Sequence, residues 1–239
     1  MDSKTTDTPG DDDKSALIPA TPSADDYAEE AKAQEAFGAE ADQGDVFGDG
    51  ADPLALFRDW LALAGQHEIN DPNAMTLATV DRDGVPDARI VLLKDVGEAF
   101  TFYTNMGSAK GEQLSGQPDC ALLFHWKSIR RQVRVRGRAE PVPAAEADAY
   151  FATRDRGSQI GAWASQQSRE MDEAGILHHR IADYEDLFDG KDVQRPSFWR
   201  GYNVVPETVE FWVNRPFRLH DRRLFVRSGD AWTCSTLYP

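Results

Sequence analysis

Cysteine is nearly absent from this chain: there are two among 239 residues, Cys120 and Cys234, and no Cys-x-x-Cys pair. That excludes a disulfide framework and a thiolate metal centre, and it points to a reducing, cytoplasmic setting. Long apolar runs are missing too. Pieces such as 90–93 and 121–124 fall far short of the roughly 20 residues that span a bilayer, so no membrane association is expected. Gly-x-Gly-x-x-Gly, the Walker loop, His-Glu-x-x-His and the nucleophile elbow are all absent, which argues against kinase and hydrolase chemistry. The five histidines, at 67, 125, 178, 179 and 220, lack ligand spacing with carboxylates or thiols, so no catalytic metal is expected.

Positive charge is also in short supply, with 26 Lys and Arg against 41 Asp and Glu and a net charge of −15. The imbalance is local: residues 1–52 hold 15 acids and three lysines, a net of −12, and leave only −3 to the rest. With few large apolar residues and no basic start before an apolar core, this stretch reads as neither a signal peptide nor a packed domain. It is expected to be a mostly disordered acidic arm, with at most a transient helix over 25–37. The overall acidity argues against nucleic acid as a partner.

Residues 53–239 carry the periodicities of a fold. Asp52 as N-cap, Pro53 at the first position and an apolar stripe of Leu54, Phe57, Leu61 and Leu63 predict a helix over 53–64 that ends near Gly65. Stretches 74–80, 88–94, 99–104, 120–126 and 132–140 are rich in β-formers and separated by turn signals, which predicts an antiparallel sheet or barrel. A short helix over 108–114 interrupts them, with Ser108 as its cap. Helical spacing follows at 143–153 and 174–188, and strand character returns at 206–213, 223–227 and 231–236. The late strands complete the first sheet, giving one mainly β domain with inserted helices.

Chemistry must then come from cations and hydroxyls at strand ends and helix starts. Arg89 and Lys94 bracket four apolar residues and fall on opposite strand faces by the two-residue period. Tyr103 and Thr104, followed by Ser108 and Lys110, set hydroxyls, backbone N–H groups and an ammonium around a helix start, a recipe for phosphate; the alternative is a plain capped turn. Gln132 shares a strand face with Arg134, Arg136 and Arg138, either a salt-bridged surface or a nucleic-acid stripe. Tyr150, Arg154 and Ser158 recur every four residues, which on one helix stacks them as a second anion cradle. Arg218, His220 and Arg222 share one face if 218–222 is a strand, beside the aromatic stretch Glu210, Phe211 and Trp212.

RIVLLK at 89–94, FYTN at 102–105, Ser108 with Lys110, RQV at 131–133, SQIGAW at 158–163, Gln167 with Ser168, EFW at 210–212 and RLHDR at 218–222 stand in an order that closely resembles the pyridoxamine 5′-phosphate oxidase family across 53–239. The resemblance implies an FMN-binding split β-barrel, antiparallel and Greek-key-like, working as a homodimer with FMN at its interface. The implied reaction oxidises pyridoxamine or pyridoxine 5′-phosphate with O2 to pyridoxal 5′-phosphate and hydrogen peroxide. Carried over by position, Arg89, Lys94, Tyr103, Thr104, Lys110, Gln132, Gln167, Ser168, Trp212 and Arg222 match FMN contacts. Lys94, Tyr150, Arg154, Ser158, Arg218 and His220 match substrate contacts, with Arg218 and His220 in the catalytic role.

Two departures stand out: Ala109 occupies a position where the family usually has Arg, and residues 1–52 offer no equivalent of the family's substrate-covering Arg and Tyr, since Tyr27 sits among acids. The alternatives are a related flavin oxidase acting on another substrate, such as a phenazine precursor, or a non-catalytic FMN or pyridoxal-phosphate carrier.

Overall fold

The computed structural model describes residues 23–36, 46–48 and 52–239; most of the acidic arm expected at 1–52 lies outside these residues. The chain divides into two compact units, Met1–Val46 with Pro216–Arg218, and Phe47–Arg215 with Leu219–Pro239. In the first unit, helix α1 (Ala24–Ala36) starts at a reciprocal cap: Asp26 N–H donates to Ser23 Oγ at 3.2 Å, and Ser23 N–H donates to Asp26 Oδ2 at 2.7 Å. Tyr27 lies 5.6 Å from the Phe217 ring.

The second unit begins with α2 (Pro53–His67), where Asp52 accepts from the N–H groups of Leu54 and Ala55, both at 3.2 Å. The helix runs past Gly65 because Ala64 O still finds a donor, the N–H of Glu68 at 2.8 Å, before the backbone turns extended. Its apolar face places Phe57 within 4.8 Å of both Phe100 and Phe124, edge to face, and Trp60 5.0 Å from Phe211. These rings are all but fully buried and form the main core.

Nine antiparallel strands build a curled half-barrel sheet in the order β2-β1-β5-β6-β7-β4-β3, with β8 and then β9 added on β7. They are β1 (Ala74–Val80), β2 (Pro86–Leu92), β3 (Asp95–Val96), β4 (Phe100–Asn105), β5 (Asp119–Trp126), β6 (Arg131–Pro141), β7 (Trp199–Val213), β8 (Asp221–Ser228) and β9 (Ala231–Thr236). Strand β7 is the hinge of the sheet. Its first half pairs with β4, its second with β8, and nearly its whole length pairs with β6. The register of β6 against β7 shifts between Arg136 and Gly137. There a Cβ on residue 137 would meet Val205 O at 2.1 Å, so only glycine lets the two backbones approach and the sheet curl.

Four helices join the strands: α3 (Ala109–Gly116), α4 (Ala144–Thr153), α5 (Arg156–Ala164) and α6 (Ile176–Leu187). The single helix face expected for Tyr150, Arg154 and Ser158 does not form. Arg154 is extended (φ −71°, ψ 149°), and Asp155 caps a new helix by accepting from Gly157 N at 2.8 Å and Ser158 N at 3.2 Å. The strand alternation expected over 218–222 also fails: Pro216–Arg218 is a 3-10 turn in which Phe217 (φ 58°) and Arg218 (φ 61°) are left-handed, and β8 starts only at Asp221. Among the described residues no helix is long and apolar enough to cross a membrane, and no cluster of His, Cys, Asp and Glu could hold a metal ion.

Candidate functional site

A cleft of about 660 Å³ opens where β2, β4, α3, α4 and α5 meet, and it gathers Lys94, Tyr103, Thr104, Lys110, Tyr150, Arg154, Ser158 and Gln167. Eight side chains expected to contact FMN or substrate thus line one cleft.

One end of the cleft is the start of α3. Ser108 is fully buried; its hydroxyl donates to Asn105 O at 2.6 Å and accepts from Gly111 N at 3.3 Å. The turn is tight enough that a Cβ on residue 111 would lie 2.4 Å from Met106 O. Lys110 is 9% exposed, and its Nζ donates to Gln167 Oε1 at 3.1 Å and Ser108 Oγ at 3.4 Å. Burial depresses its pKa below the ordinary lysine value, with further lowering by the Arg89 charge and partial relief from Asp87. A buried ammonium whose hydrogen-bond partners among the described residues are all neutral, at a helix N-terminus, suits an anion. Thr104 Oγ1 also donates to Gln167 Oε1, at 3.3 Å, so Gln167 joins strand, helix and loop. Ser168, which follows, is left-handed at φ 68°.

The other end is aromatic and cationic. Tyr103 stacks on Tyr150 at 4.1 Å and on Trp199 at 5.1 Å, with ring planes within 11° and 6°. Burial, then the neighbouring Tyr150, holds the Tyr103 phenol above its usual pKa. The Arg154 guanidinium lies over Trp199 at 4.9 Å and Phe151 at 5.6 Å, and its buried Nη1 has no hydrogen-bond partner among the described residues. Burial lowers the Arg154 pKa. Lys94, at the exposed rim, has no side-chain hydrogen bond or ion pair among the described residues. The Ser158 hydroxyl donates to Asp155 Oδ2 at 2.7 Å, and that bond is the main cause of the lowered Asp155 pKa.

Arg89 does not line this cleft. Its guanidinium donates to Leu77 O at 3.2 Å, Thr79 Oγ1 and Asp87 Oδ2 at 2.5 Å, and Gln113 Oε1 at 2.9 Å. It therefore ties β1 and β2 to the helix that bears Lys110.

Gln132, Trp212 and Arg222 form a second cluster, in register across β6, β7 and β8. The His220 ring lies 4.4 Å from Trp212, and His220 Nδ1 accepts the Arg215 N–H at 3.2 Å, which places the proton of a neutral imidazole on Nε2. Arg218 lies in the left-handed turn of the other compact unit.

Sequence reasoning gave no site role to four participants, although Glu210 and Trp199 stand in motifs of the family resemblance. Asp155 and Glu210 hold assigned residues in place, Trp199 floors the aromatic stack, and Gln113 meets Arg89. Only Asp155, two residues before Gly157 at a helix start, carried a local cap signal; the partners of the others are distant in sequence.

Residues 64–188 match the family model described as pyridoxamine 5′-phosphate oxidase, and residues 199–239 match the pyridoxine 5′-phosphate oxidase C-terminal dimerisation region. The chain is 53% identical to the pyridoxine/pyridoxamine 5′-phosphate oxidase of Caulobacter vibrioides over 224 residues, covering 93% of this chain and 97% of the relative. It is also 53% identical to that of Maricaulis maris over 231 residues, covering 95% and 99%. Among solved structures, PhzG of Burkholderia lata in complex with tetrahydrophenazine-1-carboxylic acid superposes with a TM-score of 0.77 at 28% identity, covering 82% of this chain and 97% of that one. A pyridoxamine 5′-phosphate oxidase-related, FMN binding protein of Nostoc punctiforme shares the fold, with a TM-score of 0.65 at 16% identity over 80% and 100%. The family model, the relatives and the curled antiparallel sheet agree, and the chain belongs to the pyridoxamine 5′-phosphate oxidase family.

Proposed function

We propose that the protein is an FMN-dependent oxidase that converts pyridoxamine or pyridoxine 5′-phosphate to pyridoxal 5′-phosphate. The observation that carries this reading is the half-buried Arg154 guanidinium, whose buried Nη1 is unpartnered among the described residues, on a cleft that Lys94 and Tyr150 also line. A buried donor without a partner is costly unless a ligand meets it, and a phosphate monoester is the acceptor that a guanidinium and an ammonium jointly suit. The donor set also fits a second phosphate, that of FMN. Lys110, Ser108, Thr104 and the first N–H groups of α3 would hold it, with Gln167 and Ser168 alongside and Arg89 bracing the helix.

FMN, when bound, would supply the acceptor for hydride from substrate C4′ and the route of both electrons to O2, released as hydrogen peroxide. Pyridoxine 5′-phosphate would give the aldehyde directly, and pyridoxamine 5′-phosphate an imine that water hydrolyses to the aldehyde and ammonia. The remaining tasks belong to the chain. Lys94, Tyr150, Arg154 and Ser158 anchor the substrate phosphate, and Arg218 and His220 orient the pyridine ring. His220, with Nδ1 engaged by Arg215 N–H, presents Nε2 as the atom that handles the proton lost from the substrate amine or hydroxyl. Gln132, Trp212 and Arg222 contact the flavin ring. They are not among the residues lining the cleft, and the dimerisation region spans 199–239, so the reading includes a homodimer in which a second copy completes each site.

Steady-state turnover tests this with pyridoxine 5′-phosphate, pyridoxamine 5′-phosphate and unphosphorylated pyridoxine, following O2 uptake and pyridoxal 5′-phosphate formation. The phosphates should turn over and pyridoxine should fail by orders of magnitude. Equal rates with and without the phosphate would defeat the reading. Oxidation of tetrahydrophenazine-1-carboxylic acid, the compound bound to PhzG, in preference to either B6 phosphate would favour a phenazine-type substrate instead.

A further inference from the structure

Glu210 is the one buried acid among the described residues, 6% exposed, and it shares its sheet face with Gln132, Arg134, Trp212, Arg222 and its cross-strand neighbour Leu224. Arg222 Nε and Nη2 donate to its Oε1 at 2.9 and 2.6 Å, and Arg134 Nη2 donates to its Oε2. On its other side the Arg222 guanidinium is held by Nη1, which donates to Tyr238 O at 2.9 Å. Three of the five guanidinium N–H groups are thereby fixed, and two remain for a ligand.

Stability alone does not explain such a triad, because burying charges costs about as much as pairing them returns, and apolar replacements are often as stable. Geometry and charge do explain it. We propose that Glu210 is a positioning residue of the Gln132–Trp212–Arg222 cluster: it locks the Arg222 guanidinium beside Trp212 and, by bridging Arg134, leaves the three charges a net of +1. The inference rests on the FMN reading above, in which this cluster contacts the flavin ring.

Two opposed effects follow from removing the carboxylate. Arg222 loses its clamp, which weakens binding of the flavin in either redox state. The local charge rises to +2, which favours the anionic reduced form over the neutral oxidised one. Glu210→Gln should therefore bind oxidised FMN about tenfold more weakly, the size of one lost charge-assisted hydrogen bond. Reduced FMN should lose distinctly less, and the midpoint potential of bound FMN should rise. Arg134→Gln leaves the clamp and lowers the local charge to zero, so oxidised FMN should bind within about threefold of wild type, with the potential lowered.

The experiment is fluorescence titration of the full-length apoprotein with FMN, followed by spectroelectrochemical potentials of the loaded wild type and both variants. Shifts of opposite sign in the two variants support the proposal, since a residue that merely held the sheet together would move affinity and leave the potential alone. A wild-type protein that fails to bind FMN sinks the FMN reading itself. A wild type that binds, with both variants at its potential, overturns the role of Glu210 and leaves that reading standing. If Glu210→Gln does not yield folded protein, Arg134→Gln decides: an unchanged or raised potential overturns the charge assignment.

Discussion

Replacing Arg154 by Met separates binding from folding more cleanly than any other change in the cleft. The guanidinium makes two cation–π contacts, with Trp199 and Phe151, and carries a buried Nη1 with no partner among the described residues. Losing these two contacts costs about 1–2 kcal/mol. Removing an unsatisfied buried donor returns about 1–3 kcal/mol. The two nearly offset, so stability should change by no more than about 1 kcal/mol and Tm by no more than about 4 °C. Catalysis has no such compensation. If Nη1 and a second N–H meet the substrate phosphate, the variant loses two charge-assisted hydrogen bonds at about 1.5–3 kcal/mol each. Taking about 3–4 kcal/mol in total, kcat/KM for pyridoxine 5′-phosphate should fall roughly 10²–10³-fold. FMN affinity should hold, because Arg154 belongs to the other phosphate. Steady-state kinetics, a thermal melt and an FMN titration on the same preparation decide it. A fall in kcat/KM of less than about fivefold, or a Tm lowered by more than about 10 °C, refutes the reasoning.

Four further outcomes are expected. Arg218→Leu should reduce turnover while FMN stays bound, and loss of FMN from that variant, read by absorbance after gel filtration, would contradict the division of roles. The folded pKa of Lys110 lies below its unfolded value, so the apoprotein binds fewer protons than the unfolded chain in the window just below the ordinary lysine value; its stability should rise with pH there, while FMN affinity falls as the ammonium is lost. Titrations across that range should show a more positive stability slope in wild type than in Lys110→Met. Burial pushes the Cys120 thiol up to about 12, so iodoacetamide should alkylate exposed Cys234 in the native protein and reach Cys120 only after denaturation, as peptide mapping can show. Phe57→Ala, which empties the space between Phe100 and Phe124, should cost about 3–5 kcal/mol and lower Tm by roughly 6–20 °C in a thermal melt.

Where local chemistry decides structure, the sequence could be read closely. Strand β1 has the expected bounds because Met75, Leu77 and Thr79 alternate inward without interruption, and α2 starts where Asp52 and Pro53 require. Where long-range pairing decides, the reading fell short. Strand β7 is 15 residues long, but only 206–213 was expected, because Gly201 and Pro206 break the local pattern and pairing with β4 and β6 overrides them. Helix α5 was missed because Gly157 and Gly161 dilute its propensity, and the four-residue recurrence of Tyr150, Arg154 and Ser158 suggested one continuous helix that the Asp155 cap divides.

The site followed the same division. Lys94, Tyr103, Thr104, Lys110, Tyr150, Arg154, Ser158 and Gln167 line one cleft, where the sequence reading had two separate anion cradles. Asp155 holds Ser158 through a local helix cap, whereas Glu210, Trp199 and Gln113 owe their roles to partners that only the fold brings near.

Anaerobic addition of pyridoxine 5′-phosphate to FMN-loaded protein, followed by admission of air, tests the central claim most directly. The account predicts that the flavin absorbance bleaches with formation of pyridoxal 5′-phosphate equal to the flavin reduced, and recovers when air is admitted. A flavin that stays oxidised through additions of both pyridoxine and pyridoxamine 5′-phosphate would contradict it.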